Sequence, residues 1–213
     1  MHPFHRYLKQ KLADPLPGAE AQFKMAPRPK HPASPTRSYT PTNSNYRNSS
    51  VLVPILDAGE ELEIVFTLRT SNIKHGGQIS FPGGGKEGNE TIDETALREA
   101  REETGIQPED VRIAGHLSDL FVNHSDNMVT PVVGFLNTQP TFVPNPNEVD
   151  EIFTIPISQL LDEEHQVLEE WDLRDTVYEV PFWNIHRVPL WGATAMMLAE
   201  LMQLYEGYLS VTE

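Results

Sequence analysis

The segment from Gly84 to Gly105 constrains this chain most, because it combines a glycine turn, a lone glutamate and a glutamate-rich helix. Five residues separate Gly84 from Glu90, and seven more lead to the run REAREETG at residues 98–105. Helical residues three and four positions apart lie on one face, so the three glutamates of this run are predicted to converge. Carboxylates so close together repel one another unless a cation lies among them. The spacing therefore predicts a metal site.

The ends and the apolar side of this helix are also visible in the sequence. Thr91 and Glu94 fit a capping box at its start, and Gly105 is the expected left-handed residue just past its end. An apolar side that can pack on a core is formed by Ala96, Leu97 and Ala100. We therefore expect the carboxylate face to look outward, into a cleft.

The segment resembles the Nudix box at every position that defines the box. The resemblance implies an α+β fold, a Nudix-type α/β/α sandwich with a mixed β-sheet, and a pyrophosphohydrolase that uses a divalent metal. The competing interpretation is a solvated acidic face on a surface helix, which is what most glutamate-rich helices are. The glycines, Glu90 and Arg98 all fall at family spacing, which favours the Nudix interpretation.

The resemblance assigns metal ligands to the helix. Glu99, Glu102 and Glu103 match the three box glutamates and are the expected ligand set, and the carbonyl group of Gly83 or Gly84 is expected to complete the shell. Hard oxygen ligands select Mg²⁺ or Mn²⁺ rather than zinc. Such ions neutralise a diphosphate and lower the pKa of bound water, so that hydroxide attacks one phosphorus while the other phosphate leaves. We expect hydrolysis by water without a covalent intermediate.

Two further roles follow from the resemblance. The box arginine of the family holds a glutamate in position, which gives Arg98 a structural role with Glu90 as its partner. The general base is open between Glu103 and the acidic run NEVDE at residues 147–151, in which Glu148 is our choice. The competing interpretation of this run is a solvated acidic loop.

The sequence upstream of the box indicates a substrate. Residues 67–70 (TLRT) and 74–84 (KHGGQISFPGG) resemble the signature of the coenzyme A pyrophosphatase branch of Nudix proteins. The likeness continues in three later stretches, residues 131–134, 147–149 and 191–195. It implies a small nucleotide-diphosphate substrate, with coenzyme A as the leading candidate.

The chain departs from the branch signature at one place. The signature has arginine, serine or alanine, three residues, a second arginine, three residues and glycine. Here the stretch from Arg69 to Gly77 is one residue shorter, and Lys74 is the nearest cation. We predict that Arg69, Lys74 and His75 meet substrate phosphates, with a histidine that satisfies loop backbone groups as the alternative for His75.

The charge of the chain limits its partners. Residues 1–50 carry eight basic and two acidic residues, whereas residues 51–213 carry eight and twenty-nine, within a formal net charge of −15. An acidic domain repels polyanions, so no nucleic acid is expected as a partner. A small phosphorylated substrate can still bind if a divalent metal bridges it to the carboxylates. The lack of cysteine excludes a disulfide framework, a thiolate zinc site and a cysteine nucleophile.

The rest of the sequence predicts how the chain is divided into segments. The first dozen residues predict a short amphipathic helix, and their lack of serine disfavours a transit peptide. Residues 14–49 predict an arm lying over the domain. We divide the chain into a helix and arm at residues 1–49 and one Nudix hydrolase domain at residues 50–213. No long apolar run or signal pattern is present, so we expect no membrane association and a cytoplasmic location. The oligomeric state stays open, with a homodimer as one option.

The sequence of the domain predicts the order of its strands and helices. A hairpin is predicted at residues 51–56 and 62–68, further strands at 111–117, 128–136 and 151–156, a helix or turn at 157–161, and a C-terminal helix at 191–208.

Three functions compete at this point. The leading hypothesis is hydrolysis of coenzyme A or an acyl-coenzyme A to 3′,5′-ADP and a phosphopantetheine product. The second is a Nudix hydrolase of another nucleoside diphosphate derivative, such as ADP-ribose, a dinucleoside or a nucleoside triphosphate. The third is a silent Nudix-like domain that binds a nucleotide as a sensor or interaction module. The complete set of glutamates argues against the third, because a silent module has no need of mutually repelling carboxylates.

Overall fold

The computed structural model describes residues 2–31, 39–41, 45–57, 59–71 and 76–212. Its strands are β1 Arg28–Pro29, β2 Arg47–Leu56, β3 Glu63–Arg69, β4 Ile79–Ser80, β5 Gly83–Gly85, β6 Val111–His116, β7 Leu120–Val122, β8 Asn127–Leu136, β9 Val149–Pro156, β10 Gln166–Asp172 and β11 Val177–Trp183. Its α-helices are α1 Pro3–Lys11, α2 Ala19–Gln22, α3 Ile92–Thr104, α4 Ile157–Leu161 and α5 Gly192–Thr212.

Strand β2 organises the main sheet. It pairs in parallel with β8 along its whole length, from Arg47 to Leu56. On its other edge it pairs antiparallel with β5 near Ser50 and with β3 at Ile55. This edge of β2 thus changes partner along its length. Strand β3 also pairs antiparallel with β4 and with β9. Strand β4 pairs with the C-terminal part of β3, and β5, which follows β4 in the chain, pairs with β2.

Both faces of the sheet are covered. Leu52 of β2 packs with Ala96 and Ala100 of α3 on one face. The next residue, Val53, belongs to the larger core on the other face, which includes Phe4 of α1 and much of α5. Alternate residues of a strand point to opposite faces, so a strand buried on both sides is apolar almost throughout. The predicted α/β/α sandwich with a mixed sheet is confirmed.

The N-terminal segment is part of this packing. Phe4 is fully buried, and its ring centroid lies 4.7 Å from that of Tyr205 on α5. The predicted arm also contains α2 and β1, which pairs with β11. Strand β2 begins at Arg47, ahead of the expected boundary at residue 50. Among the described residues, none of the helices combines the length and apolar character that a membrane span requires.

A second sheet was not predicted. Strands β10 and β11 form an antiparallel hairpin that β1 extends to three strands. Most side chains of β10 are exposed, including Leu168, Glu169 and Glu170. A strand without a buried face lacks the alternation of apolar and polar residues by which strands are recognised.

Candidate active site

The glycines of β5 allow this strand to approach its neighbours closely. A Cβ atom on Gly83 would lie 2.5 Å from both the carbonyl oxygen of Ser50 and the Cα of Val51. A Cβ atom on Gly84 would overlap the carboxylate of Glu99 on α3. Glycine is therefore required at residue 83, where the neighbours are backbone atoms, whereas a side chain at residue 84 would displace the Glu99 carboxylate.

Helix α3 has well-defined ends. The Thr91 hydroxyl accepts a hydrogen bond from the backbone N–H of Glu94 at 3.2 Å, and the Glu94 carboxylate accepts one from the backbone N–H of Thr91 at 2.7 Å. This is the predicted capping box. The helix ends at Gly105, whose φ of 78° lies in the left-handed region that favours glycine. These ends fix which residues face the sheet.

Arg98 and Glu90 tie the loop before α3 to the helix. The Arg98 Nε donates to Glu90 Oε1 at 2.7 Å, and Arg98 Nη2 donates to Glu90 Oε2 at 3.1 Å. Nη2 also donates to the carbonyl oxygen of Gly85 at 3.0 Å. The hydrogen bonds from Arg98 are the main reason that the pKa of Glu90 falls to about 2. This forked pair matches the geometry expected of a structural contact.

The same arginine contacts two candidate ligands. Arg98 Nη1 donates to Glu99 Oε1 at 3.0 Å and to Glu102 Oε2 at 3.2 Å. One cationic nitrogen thus lies between these two carboxylates. Burial raises the pKa of Glu99, and the guanidinium of Arg98 opposes that rise.

Glu103 lies in a different environment. The residue is only 1% exposed. Its Oε2 accepts a hydrogen bond from the backbone N–H of Gly83 at 3.2 Å, and its Oε1 lies 3.5 Å from Arg69 Nη1. Burial raises the pKa of Glu103 to about 7, while Arg69 and the Gly83 N–H act in the opposite direction. The carboxyl group is thus poised between its two protonation states near neutral pH.

The expectation of an outward carboxylate face is wrong for Glu103, which faces the end of the sheet. The expected convergence is only partial, because Glu99 and Glu102 share Arg98 whereas Glu103 is bonded to Gly83 and Arg69. Within the described ranges, no three acidic or histidine side chains are grouped closely enough to hold an ion. The physical reason is charge compensation, since each of the three carboxylates contacts an arginine.

The loop at residues 143–148 brings Glu148 to the same end of the sheet. The backbone N–H of Asn145 donates to the carbonyl oxygen of Glu103 at 3.0 Å, and the N–H of Thr70 donates to the carbonyl oxygen of Glu148 at 3.0 Å. The charge of Glu148 is among the causes that raise the pKa of Glu103. This anchoring was not predicted, although the Asn-Pro pair in the loop is a turn signal.

Of the three predicted phosphate contacts, Arg69 alone lies within the described residues. Arg69 is the last residue of β3, and its guanidinium contacts Glu103. Lys74 and His75 lie outside the described residues, so their contacts stay predictions.

The chemistry of the donor set fits a hard divalent cation, although the three side chains are not grouped as a finished ion site in this structure. All three side chains, Glu99, Glu102 and Glu103, offer carboxylate oxygens, the ligands that such ions prefer. The position of Arg98 Nη1 between Glu99 and Glu102 indicates that this pair of carboxylates favours a cation between them. The carbonyl group of Gly83 or Gly84 stays the predicted backbone ligand, and β5, which contains both glycines, lies directly against Glu99.

Comparisons with known sequences agree with this geometry. A family model described as the NUDIX domain matches residues 46–174. The peroxisomal coenzyme A diphosphatase NUDT7 of Mus musculus is 44% identical over 114 residues, which cover 53% of this chain and 48%, about half, of the mouse protein. The peroxisomal coenzyme A diphosphatase ndx-8 of Caenorhabditis elegans is 34% identical over 167 residues, which cover 75% of this chain and 70% of that protein. Nudix hydrolase 3 of C. elegans is 32% identical over 174 residues, which cover 73% and 72%.

Solved structures share the fold. A MutT/nudix family protein from Enterococcus faecalis matches with a TM-score of 0.54 at 13% identity, covering 81% of this chain and 66% of that one. The NUDIX domain of Shewanella oneidensis NrtR, solved with ADP ribose, matches with a TM-score of 0.51 at 15% identity, covering 81% and 94%. These structures show the shared fold, and the family model and the sequence relatives establish that the chain belongs to the Nudix family and is a Nudix pyrophosphohydrolase.

Proposed function

We propose that this chain hydrolyses the diphosphate bond of coenzyme A or an acyl-coenzyme A. The products are 3′,5′-ADP and 4′-phosphopantetheine or its acylated form, and the cofactor is Mg²⁺ or Mn²⁺. The observation that carries the proposal is the similarity to two relatives named as coenzyme A diphosphatases. The close approach of Gly84 to Glu99 supports it, because it brings the signature strand and the glutamate helix into one site.

The side chains of the site have separate proposed roles. Glu99, Glu102 and Glu103 would hold the ion, with the carbonyl group of Gly84. When bound, such an ion neutralises the diphosphate and lowers the pKa of a water molecule. Arg98 keeps its forked contact with Glu90 and thereby holds the start of the helix against the loop before it.

Glu148 is our proposed general base. Glu103 is buried and already engaged by the Gly83 N–H and Arg69. Glu148 is half-buried at the same end of the sheet, and its charge acts on Glu103. Glu148 thus combines closeness to the site with access to water.

Replacing Glu148 with glutamine is expected to lower kcat by about 10²-fold, the usual scale for a lost general base. Mn²⁺ affinity should change little, because this residue is not in the proposed ligand set. Steady-state kinetics and Mn²⁺ titration measure the two quantities. Asp150→Asn, at an exposed neighbour, is the control. An unchanged rate for Glu148→Gln would move the role to Glu103 or Glu151.

Substrate choice can be tested through the second phosphate of coenzyme A. The 3′-phosphate lies apart from the diphosphate and needs its own cation, for which Lys74 and His75 are the proposed partners. A charged hydrogen bond contributes about 1.5–3 kcal/mol, so coenzyme A should be preferred over its 3′-dephospho form by roughly tenfold to hundredfold in kcat/KM.

Lys74→Ala should narrow that preference, whereas Lys24→Ala, at a lysine that contacts Gln203, should leave it unchanged. Competition assays with coenzyme A, its 3′-dephospho form and ADP-ribose measure this preference. Equal rates on the two coenzyme A forms, or faster cleavage of ADP-ribose, would disprove the coenzyme A assignment and leave the Nudix chemistry standing.

The compartment and the assembly are further parts of the proposal. The cytoplasm is the location expected from the sequence, whereas two relatives are named as peroxisomal. A fluorescent fusion distinguishes the two compartments. A homodimer is the assembly we propose to test by light scattering.

A further inference from the structure

We propose that Arg69 is an internal counter-ion of Glu103 that the divalent ion displaces, and that the released guanidinium then binds a phosphate of the substrate. This inference rests on the proposed function, since it requires both the ion and a diphosphate. It gives one arginine two successive partners. It also makes ion binding a condition for strong substrate binding.

The first observation is the environment of Glu103. A carboxylate that is 1% exposed is costly unless it is paired and hydrogen-bonded. The Gly83 N–H supplies one hydrogen bond at 3.2 Å, and Arg69 Nη1 supplies a positive charge at 3.5 Å. Glu103 therefore already has a cation partner at the place where a ligand carboxylate would receive the ion.

The second observation is the contrast between the two arginines of the site. Arg98 contacts Glu99 and Glu102 but is also held by the forked bond to Glu90 and by the carbonyl oxygen of Gly85. These contacts would keep Arg98 in place if an ion replaced it at Glu99 and Glu102. Within the described part of the chain, the contact found for the Arg69 guanidinium is with Glu103 alone. Displacement from that carboxylate therefore frees it.

The third observation is the position of Arg69 itself. Its backbone is fixed, because its N–H donates to Gln78 at 3.0 Å and its carbonyl oxygen accepts from Gly77 at 2.9 Å. Its side chain is 22% exposed, so the guanidinium can turn toward solvent without moving the strand. A planar guanidinium offers a fork that suits a phosphate as well as it suits a carboxylate.

These contacts predict effects of opposite sign. Arg69 competes with the ion in the free protein, so its removal should strengthen ion binding. Arg69 assists the substrate once the ion is bound, so its removal should weaken substrate binding. If the role of Arg69 were purely structural, its removal would weaken both ion binding and substrate binding, because Glu103 would lose its partner. A simple phosphate-binding arginine would leave ion binding in the free protein unchanged.

The test uses the full chain stripped of metal, with Mn²⁺ as the probe. Free Mn²⁺ is measured by electron paramagnetic resonance during titration. Arg69→Gln is expected to bind Mn²⁺ roughly tenfold more tightly than the parent, about the effect of one lost charged contact, and to raise KM for coenzyme A by roughly tenfold at saturating Mn²⁺. Arg101→Gln, which removes an exposed arginine from α3, should change neither quantity.

Arg69→Lys provides a second variant if the glutamine variant folds poorly. It keeps the charge without the fork, so its Mn²⁺ affinity should lie between those of the parent and Arg69→Gln, with KM raised. Equal or weaker Mn²⁺ binding by both Arg69 variants would overturn the inference while leaving the proposed function intact. A parent that binds no Mn²⁺ would overturn the proposed metal dependence and this inference with it.

Discussion

Glu103→Gln is expected to lower kcat by more than about 10²-fold, because even partners outside a metal's ligand set typically cost 10- to 100-fold when lost. The substitution keeps the shape of the side chain and removes its charge, so the fold should survive. Steady-state kinetics with saturating Mn²⁺ measure the loss, and Glu109→Gln, at an exposed glutamate just after α3, is the control. A Glu103→Gln variant that turns over like its parent would show that the assigned site is wrong.

The same variant should change how stability depends on pH in the metal-free protein. Burial raises the pKa of Glu103 from 4.5 to about 7, so the folded state holds a proton that the unfolded state has released between these values. Ionisation of Glu103 should therefore cost the parent stability as pH rises from 5 to 8, by on the order of 2–3 kcal/mol at most. The glutamine variant lacks this ionisation and should lose less. Urea unfolding in EDTA at both pH values measures the difference.

Glu200→Ala is expected to lower the free energy of unfolding by about 3–5 kcal/mol, the scale for leaving several buried polar groups without partners. Glu200 lies on α5 and is fully buried. Its Oε1 accepts hydrogen bonds from the Gly18 N–H at 2.8 Å and the Ser118 hydroxyl at 2.7 Å. Its Oε2 accepts from the Ser118 N–H at 3.1 Å and Gln22 Nε2 at 3.2 Å. One carboxyl group thus joins the arm, the loop before β7 and the C-terminal helix.

Urea unfolding at neutral pH measures this effect. Glu206→Ala is the matched control, since Glu206 is an exposed glutamate on the same helix and its loss should change stability by less than about 0.5 kcal/mol. Equal stability of the two variants would show that the buried carboxyl group does not hold the arm.

Local patterns predicted the elements around the site well. The capping box at Thr91, the glycine after α3 and the apolar run of β2 each depend on neighbouring residues, and the sequence contains those neighbours. Strand β10 was missed because it is exposed along most of its length and so carries no apolar period, whereas β11 does alternate between exposed and buried residues and was overlooked. Short-range periodicity therefore predicts buried elements better than exposed ones.

Contacts between distant segments were the harder part of the site. The pairing of Arg69 with Glu103 joins the end of β3 to the end of α3, and no spacing rule links residues so far apart. The sequence predicted convergence of three glutamates from helical geometry alone. The sequence did not predict that Arg98 would contact Glu99 and Glu102 while Arg69 contacts Glu103. The partner of a side chain depends on the sheet register and on burial, which local spacing does not give.

Turnover of coenzyme A in water labelled with heavy oxygen, followed by mass spectrometry of the products, tests the proposed chemistry most directly. The reaction is run with Mn²⁺ and again with excess EDTA. Attack of a metal-activated water on the diphosphate should place one labelled oxygen in the phosphate of either 3′,5′-ADP or phosphopantetheine, with turnover lost in EDTA. Unlabelled products, or equal turnover in EDTA, would contradict metal-dependent hydrolysis by this site.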